Sequence, residues 1–131
     1  MTPLNDPNAV KIIPLGGLGE IGLNMMAIEC QGKILIIDCG LMFPEDFMLG
    51  VDIVIPDFTY VVERAEDVVA LVLTHGHEDH IGAVPFFLQE VEPLVVGSET
   101  TLAFLTNQLS QNKVANGNGG PLRSETVSSG D

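Results

Sequence analysis

A chain of 131 residues, 46% of them hydrophobic, can build one domain with a moderate core. Its 18 acidic against 5 basic side chains give a net charge of −13, which argues against a phosphate-tracking groove lined by its own cations. Two cysteines, Cys30 and Cys39, exclude a disulfide framework, and no apolar run approaches the ~18 residues of a membrane helix.

The first residues, 1–9, read as a flexible polar arm with neither a basic start nor an apolar signal core, so a cytoplasmic protein without a membrane partner is expected. Val10 to Leu15 reads as a strand and Gly16 to Gly22 as a glycine-rich turn. Gly17-Leu18-Gly19-Glu20-Ile21-Gly22 fits G-x-G-x-x-G, with Asp38 sixteen residues beyond. A dinucleotide site needs a helix beginning at those glycines, whereas Met25 to Lys33 reads as strand and hairpin. Nucleotide binding is therefore rejected, and the glycines are read as a turn crowding a cleft.

Met25 to Glu29 and Lys33 to Asp38 form two strand runs around the hairpin signal Gln31-Gly32. Cys30 and Cys39 lie beside these apolar runs, where core packing is their expected role. Cys39 to Pro56 reads as an irregular excursion. Asp57 can cap a short helix through about Glu66, with Val61, Val62 and Ala65 on one face. Val68 to Leu73 is a buried strand. Ala83 to Val91 repeats Val84, Phe87, Leu88 and Val91 at helical spacing, with Pro85 tolerated in the first turn. Leu94 to Val96 reads as a short strand. Ser98 can then cap a helix through about Gln111, with Leu102, Leu105 and Leu109 as its inner stripe. The alternation indicates α/β layering over residues 10–112. The last stretch, 113–131, is dominated by glycine, asparagine and serine and reads as a disordered tail.

The densest chemistry follows the strand Val68 to Leu73. Thr74-His75-Gly76-His77-Glu78-Asp79-His80-Ile81-Gly82 holds every histidine of the chain, together with two carboxylates. Imidazole and carboxylate together suit zinc and similar divalent ions. His75 and His77, two apart on extended backbone, point the same way and can grip one ion. Asp79 and His80, where the chain turns toward a helix, can reach a second, which is the layout of a two-metal hydrolase. Gly76 keeps the space between the ligand histidines clear, and Gly82 is expected to permit a sharp turn.

The His-x-His-x-Asp-His run resembles the signature of the metallo-β-lactamase superfamily. The likeness narrows with the segments from Lys11 to Gly22, Ile36 to Asp46 and Gly50 to Asp57, which resemble the opening of the ribonuclease J family of beta-CASP metallo-nucleases. It spans about Val10 to about Leu109. It implies part of an αββα sandwich, roughly one sheet with flanking helices. It implies His75, His77, Asp79 and His80 as metal ligands and Asp38 as the aspartate that orients them or the attacking water. It further implies two divalent ions, expected to be zinc, with Asp79 also acting on the nucleophile. The substrate implied is RNA, in processing and decay by exonucleolytic or internal cleavage, and a homo-oligomer is compatible with it.

The family pattern needs a further histidine, a bridging aspartate and a late histidine, yet no histidine follows His80 and the later aspartate is Asp131. The expectation is a truncated or partial chain, inactive alone, from a ribonuclease J-like enzyme. Two other readings stand beside it. One is a metallo-β-lactamase-fold hydrolase of small-molecule esters, which suits the acidity better. The other is an inert fragment that binds one ion weakly.

Overall fold

Residues 6–111 and 122–131 are described by the computed structural model, and among them six strands lie side by side in one sheet. In chain order these are β1 (Lys11–Gly16), β2 (Met25–Cys30), β3 (Lys33–Ile37), β4 (Val68–Val72), β5 (Leu94–Gly97) and β6 (Ser124–Thr126). Spatial order equals chain order. β1, β2 and β3 run antiparallel, and β3 through β6 run parallel. Gln31 and Gly32 both take positive φ, 50° and 74°, as the two-residue turn of a hairpin requires. A strand, not a helix, follows the glycine-rich turn, in keeping with the rejection of a dinucleotide site.

Parallel neighbours need crossovers, and these carry the helices. Between β3 and β4 lie α1 (Thr59–Val62) and a 3-10 turn at Ala65–Asp67; α2 (Glu78–Ile81) and α3 (Val84–Phe87) join β4 to β5, and α4 (Glu99–Gln111) follows β5. Asp57 Oδ1 accepts the Thr59 N–H at 2.9 Å, so the aspartate does hold the start of α1. That helix stops at Val62, well before Glu66, because Arg64 leaves helical geometry at φ −125°, ψ 33°. Ser98 Oγ accepts the Thr101 N–H at 3.2 Å and caps α4 as expected. The helix expected over Ala83 to Val91 is regular at Val84–Phe87 alone. Gln89 and Glu90 bond three residues back instead of four, which tightens the chain into turns while Val84, Phe87, Leu88 and Val91 all stay buried.

The two faces of the sheet differ. On one, Met25, Ala27, Ile34, Ile36, Leu71 and Val95 pack with Val61, Val84, Phe87, Leu102 and Leu105 in a single buried core. On the other, two cross-strand rows follow from the register. Ile12, Ile28, Leu35, Ala70 and Leu94 form one; Pro14, Met26, Ile37, Val72 and Val96 form the next. These rows are apolar throughout. The helical residues of the core all pack on the first face.

The disordered tail read from composition needs correction where the chain is described. Leu122 packs against the core, and Ser124–Thr126 adds to the sheet edge beside β5. Backbone pairing orders Ser124–Thr126, whose side chains are all exposed, so composition could not announce that strand. The part of that expectation at 113–121 lies outside the described residues, as does 1–5 of the arm. Asp6 accepts the Ala9 N–H in a turn ahead of β1. No helix among the described residues is long and apolar enough to cross a membrane.

Candidate metal centre

β3 and β4 are parallel, so both deliver their C-terminal ends to one edge of the sheet. β3 ends at Ile37, directly before Asp38, and β4 leads through Leu73 into Thr74 and His75. Asp38 has φ 59°, a left-handed conformation that aspartate tolerates better than most residues and that turns its carboxylate toward β4. The side chain is buried. Its Oδ1 accepts the Thr74 N–H at 2.8 Å, and its Oδ2 accepts the Thr74 hydroxyl at 2.8 Å and His80 Nδ1–H at 2.7 Å.

These bonds fix tautomers. An ionised carboxylate only accepts, so both the Thr74 hydroxyl and His80 Nδ1 must donate to it. With its single proton committed, Thr74 Oγ1 can only accept from His75 Nδ1, 2.9 Å away. Nε2 of both His75 and His80 is thereby left as the bare, lone-pair-bearing nitrogen. That is the state a metal ligand needs.

His75, Asp79 and His80 bring ligand atoms within 4.8 Å of one another. The rings of His75 and His80 lie 4.0 Å apart, and Asp79 Oδ2 is 3.5 Å from His80 Nε2. His77 stands differently. Its ring meets that of His75 edge-on at 4.6 Å, but it is exposed at the start of α2 and outside that three-residue group. The structure thus gathers His75 with Asp79 and His80, whereas sequence spacing pairs His75 with His77.

The turn that carries Asp79 and His80 is clamped from below by the start of the excursion. Cys39 N–H donates to the His80 carbonyl at 2.8 Å, and Leu41 N–H donates to the Glu78 carbonyl at 3.1 Å. Between them Gly40 passes so close that a Cβ would lie 1.6 Å from the Asp79 carbonyl oxygen. Gly82 needs its missing side chain for a similar reason. Its φ of −62° is ordinary, so the sharp turn expected there is absent, and a Cβ would instead meet Leu41 Cγ at 2.4 Å. Burial pushes the Cys39 thiol pKa well up, so this cysteine packs and is no thiolate ligand.

Two further residues belong to the site and escape sequence reasoning. Thr74 fixes His75 as described. Asn24 donates from Nδ2 to the Asp79 carbonyl at 2.9 Å and sits 3.4 Å from Asp79 Oδ2 and 3.5 Å from His80 Nε2. The signal available for Asn24 was its place directly after the glycine-rich turn, where a Cβ on Gly17 would meet Asn24 Oδ1 at 2.8 Å. From above, α4 sets Phe104 against Gly76 and gives Gln108 Nε2–H to the Gly82 carbonyl at 3.2 Å.

A profile of the metallo-beta-lactamase superfamily matches residues 18–128. Ribonuclease J 1 of Streptococcus pyogenes serotype M3 is 48% identical over 105 residues, covering 80% of this chain and 19% of that protein. Ribonuclease J2 of Bacillus subtilis strain 168 is 50% identical over 102 residues, covering 78% of this chain and 18% of its own length. The chain therefore spans about a fifth of these relatives. Among solved structures, a diphosphatase of the PhnP family superposes with a TM-score of 0.55 at 16% identity, covering 91% of this chain and 50% of that one. The superfamily protein ST1585 of Sulfolobus tokodaii gives 0.52 at 22%, covering 92% and 48%.

Proposed function

Since the chain belongs to the metallo-beta-lactamase superfamily, we propose that it carries the metal-binding half of a ribonuclease J-like active site, with RNA as the substrate of the complete enzyme. The observation that supports this most directly is the His75, Asp79 and His80 group, with the Nε2 atoms of both histidines bared by Asp38 and Thr74. Nitrogen and carboxylate oxygen at this spacing suit zinc. His75, Asp79 and His80 would hold one ion, and His77 at the rim would add a ligand toward it or toward a second.

Bound divalent ions supply Lewis acidity, lowering the pKa of water for attack on a phosphodiester and offsetting charge that develops at phosphorus. The chain's own residues prepare that chemistry. Asp38 and Thr74 hold the imidazoles in the ligating tautomer. Asn24 holds the Asp79 carbonyl at 2.9 Å and reaches the Asp79 carboxylate at 3.4 Å, and that carboxylate would accept a proton from the attacking water. Residues 39–41 keep the ligand turn at a fixed height above β3.

Taken alone, the chain binds metal without turnover, because no histidine follows His80 to complete a second site. Replacing the matched segment of Bacillus subtilis Ribonuclease J2 by residues of this chain tests the reading. Cleavage of a 5′-labelled RNA by the chimera, lost with His80→Ala, supports it. An inactive but folded and metal-loaded chimera contradicts it. The net charge of −13 favours a second reading, hydrolysis of a small ester. In that case the chimera binds metal and cleaves a small phosphoester but not RNA.

A further inference from the structure

Asp79 and His80, two of the three gathered ligands, stand on α2, a helix of four residues with no side-chain cap at its start. A single helical turn does not hold itself in water, so its place is set from outside. The excursion supplies one set of ties, the backbone bonds from Cys39 and Leu41. A second set comes from α4 and is made by side chains. Phe104 and Gln108 are four residues apart and so share one flank of that helix. The Phe104 ring lies against Gly76, where an added Cβ would fall 2.7 Å from its Cδ2. Gln108 Nε2 donates at 3.2 Å to the carbonyl of Gly82, the residue that closes α2. Gly76 and Gly82 bracket His77, Asp79 and His80, so α4 meets the ligand segment at both ends. The helix is itself anchored, with Leu102 and Leu105 buried and Ser98 capping its start.

We propose that Phe104 and Gln108 are positioning residues that hold the ligand segment between α4 and the excursion, keeping Asp79 and His80 within reach of an ion shared with His75; this rests on the metal reading of that group. Two observations separate this role from plain packing. Phe104 is 57% exposed, so it adds little to the core. Gln108 Oε1 is buried with no hydrogen-bond partner among the described residues, while the amide N–H of the same side chain goes to Gly82. An unpartnered buried acceptor opposes folding, and a hydrocarbon side chain of similar shape would avoid it. Gln108→Met removes that acceptor and leaves the Gly82 carbonyl unpartnered in its place. The two changes oppose one another in stability, whereas the tie to the ligand helix is cut outright.

Zinc titration of the full chain, beside urea unfolding of the metal-free protein, tests this. Gln108→Met should keep the wild-type urea midpoint and bind zinc about 10-fold more weakly, the lower end of what a support behind metal ligands contributes. The visible absorption of the cobalt(II)-loaded chain follows ligand geometry and should change in Gln108→Met and in Phe104→Ala. Gly76→Ala drives its Cβ into the Phe104 ring and should weaken zinc binding, and Phe104→Ala in that background should restore part of the loss. A wild type that takes up no zinc overturns the metal reading and this inference with it. Zinc binding by wild type that Gln108→Met leaves unchanged overturns this inference alone. So does a Gln108→Met whose urea midpoint falls while its zinc affinity and cobalt spectrum stay those of wild type, because the tie is then purely structural.

Discussion

Asp38 Oδ2 stands 2.7 Å from His80 Nδ1, and the same carboxylate holds Thr74 through both its backbone N–H and its hydroxyl. One buried acid therefore ties the end of β3 to the loop after β4 and to the ligand turn. Its replacement acts on two quantities at once.

Asp38→Ala leaves the Thr74 N–H without its acceptor and lets both imidazoles choose either tautomer. Zinc affinity should fall about 10- to 100-fold, the usual effect of removing a partner behind a ligand. Stability should fall by about 2 kcal/mol. Isothermal titration with zinc and urea unfolding of the metal-free protein read the two effects separately. Thr74→Val, which keeps the shape and the N–H bond, should weaken zinc binding while moving stability much less.

Gly40→Ala should be among the most damaging single changes in the chain. The added Cβ falls 1.6 Å from the Asp79 carbonyl oxygen, so the excursion and the ligand turn must separate. A cost of about 3 kcal/mol or more is expected. Gly19→Ala meets nothing within 4 Å and loses only the ease of positive φ, about 1 kcal/mol. Comparing the two urea midpoints against wild type checks the difference.

Acid should weaken the fold through Glu29. The Arg64 guanidinium 2.6 Å away and the Tyr60 hydroxyl hold its carboxyl below the usual glutamate range. The unfolded chain then binds this proton at a higher pH than the folded chain does. The stabilisation is complete above the ordinary glutamate pKa and disappears as pH falls through the lowered folded value. Urea unfolding at pH 7, 5 and 3 should show a steeper acid loss for wild type than for Glu29→Gln.

Much of this was legible in the residues themselves. The hairpin at Gln31-Gly32, the strand from Val68 and the cap at Ser98 are local signals, each read from a few neighbours, although Val69 in that strand is half exposed and not buried as expected. The ligand turn was equally plain, because imidazoles and carboxylates concentrate after a single strand. What sequence could not supply is contact across the chain. Asn24 lies 55 residues from Asp79, and only the parallel pairing of β3 with β4 brings Asp38 to Thr74. Gly82 looked like a turn and is instead a packing site for Leu41. The strand Ser124–Thr126 is held by backbone bonds to β5, which leave no mark in side-chain pattern.

Zinc content of the purified chain, measured by elemental analysis after gel filtration beside His80→Ala and Cys30→Ala, tests the metal centre most directly. One tightly held ion per chain is expected for wild type and Cys30→Ala, with none retained by His80→Ala. Equal zinc in wild type and His80→Ala, or none in either, would contradict a site built from His75, Asp79 and His80.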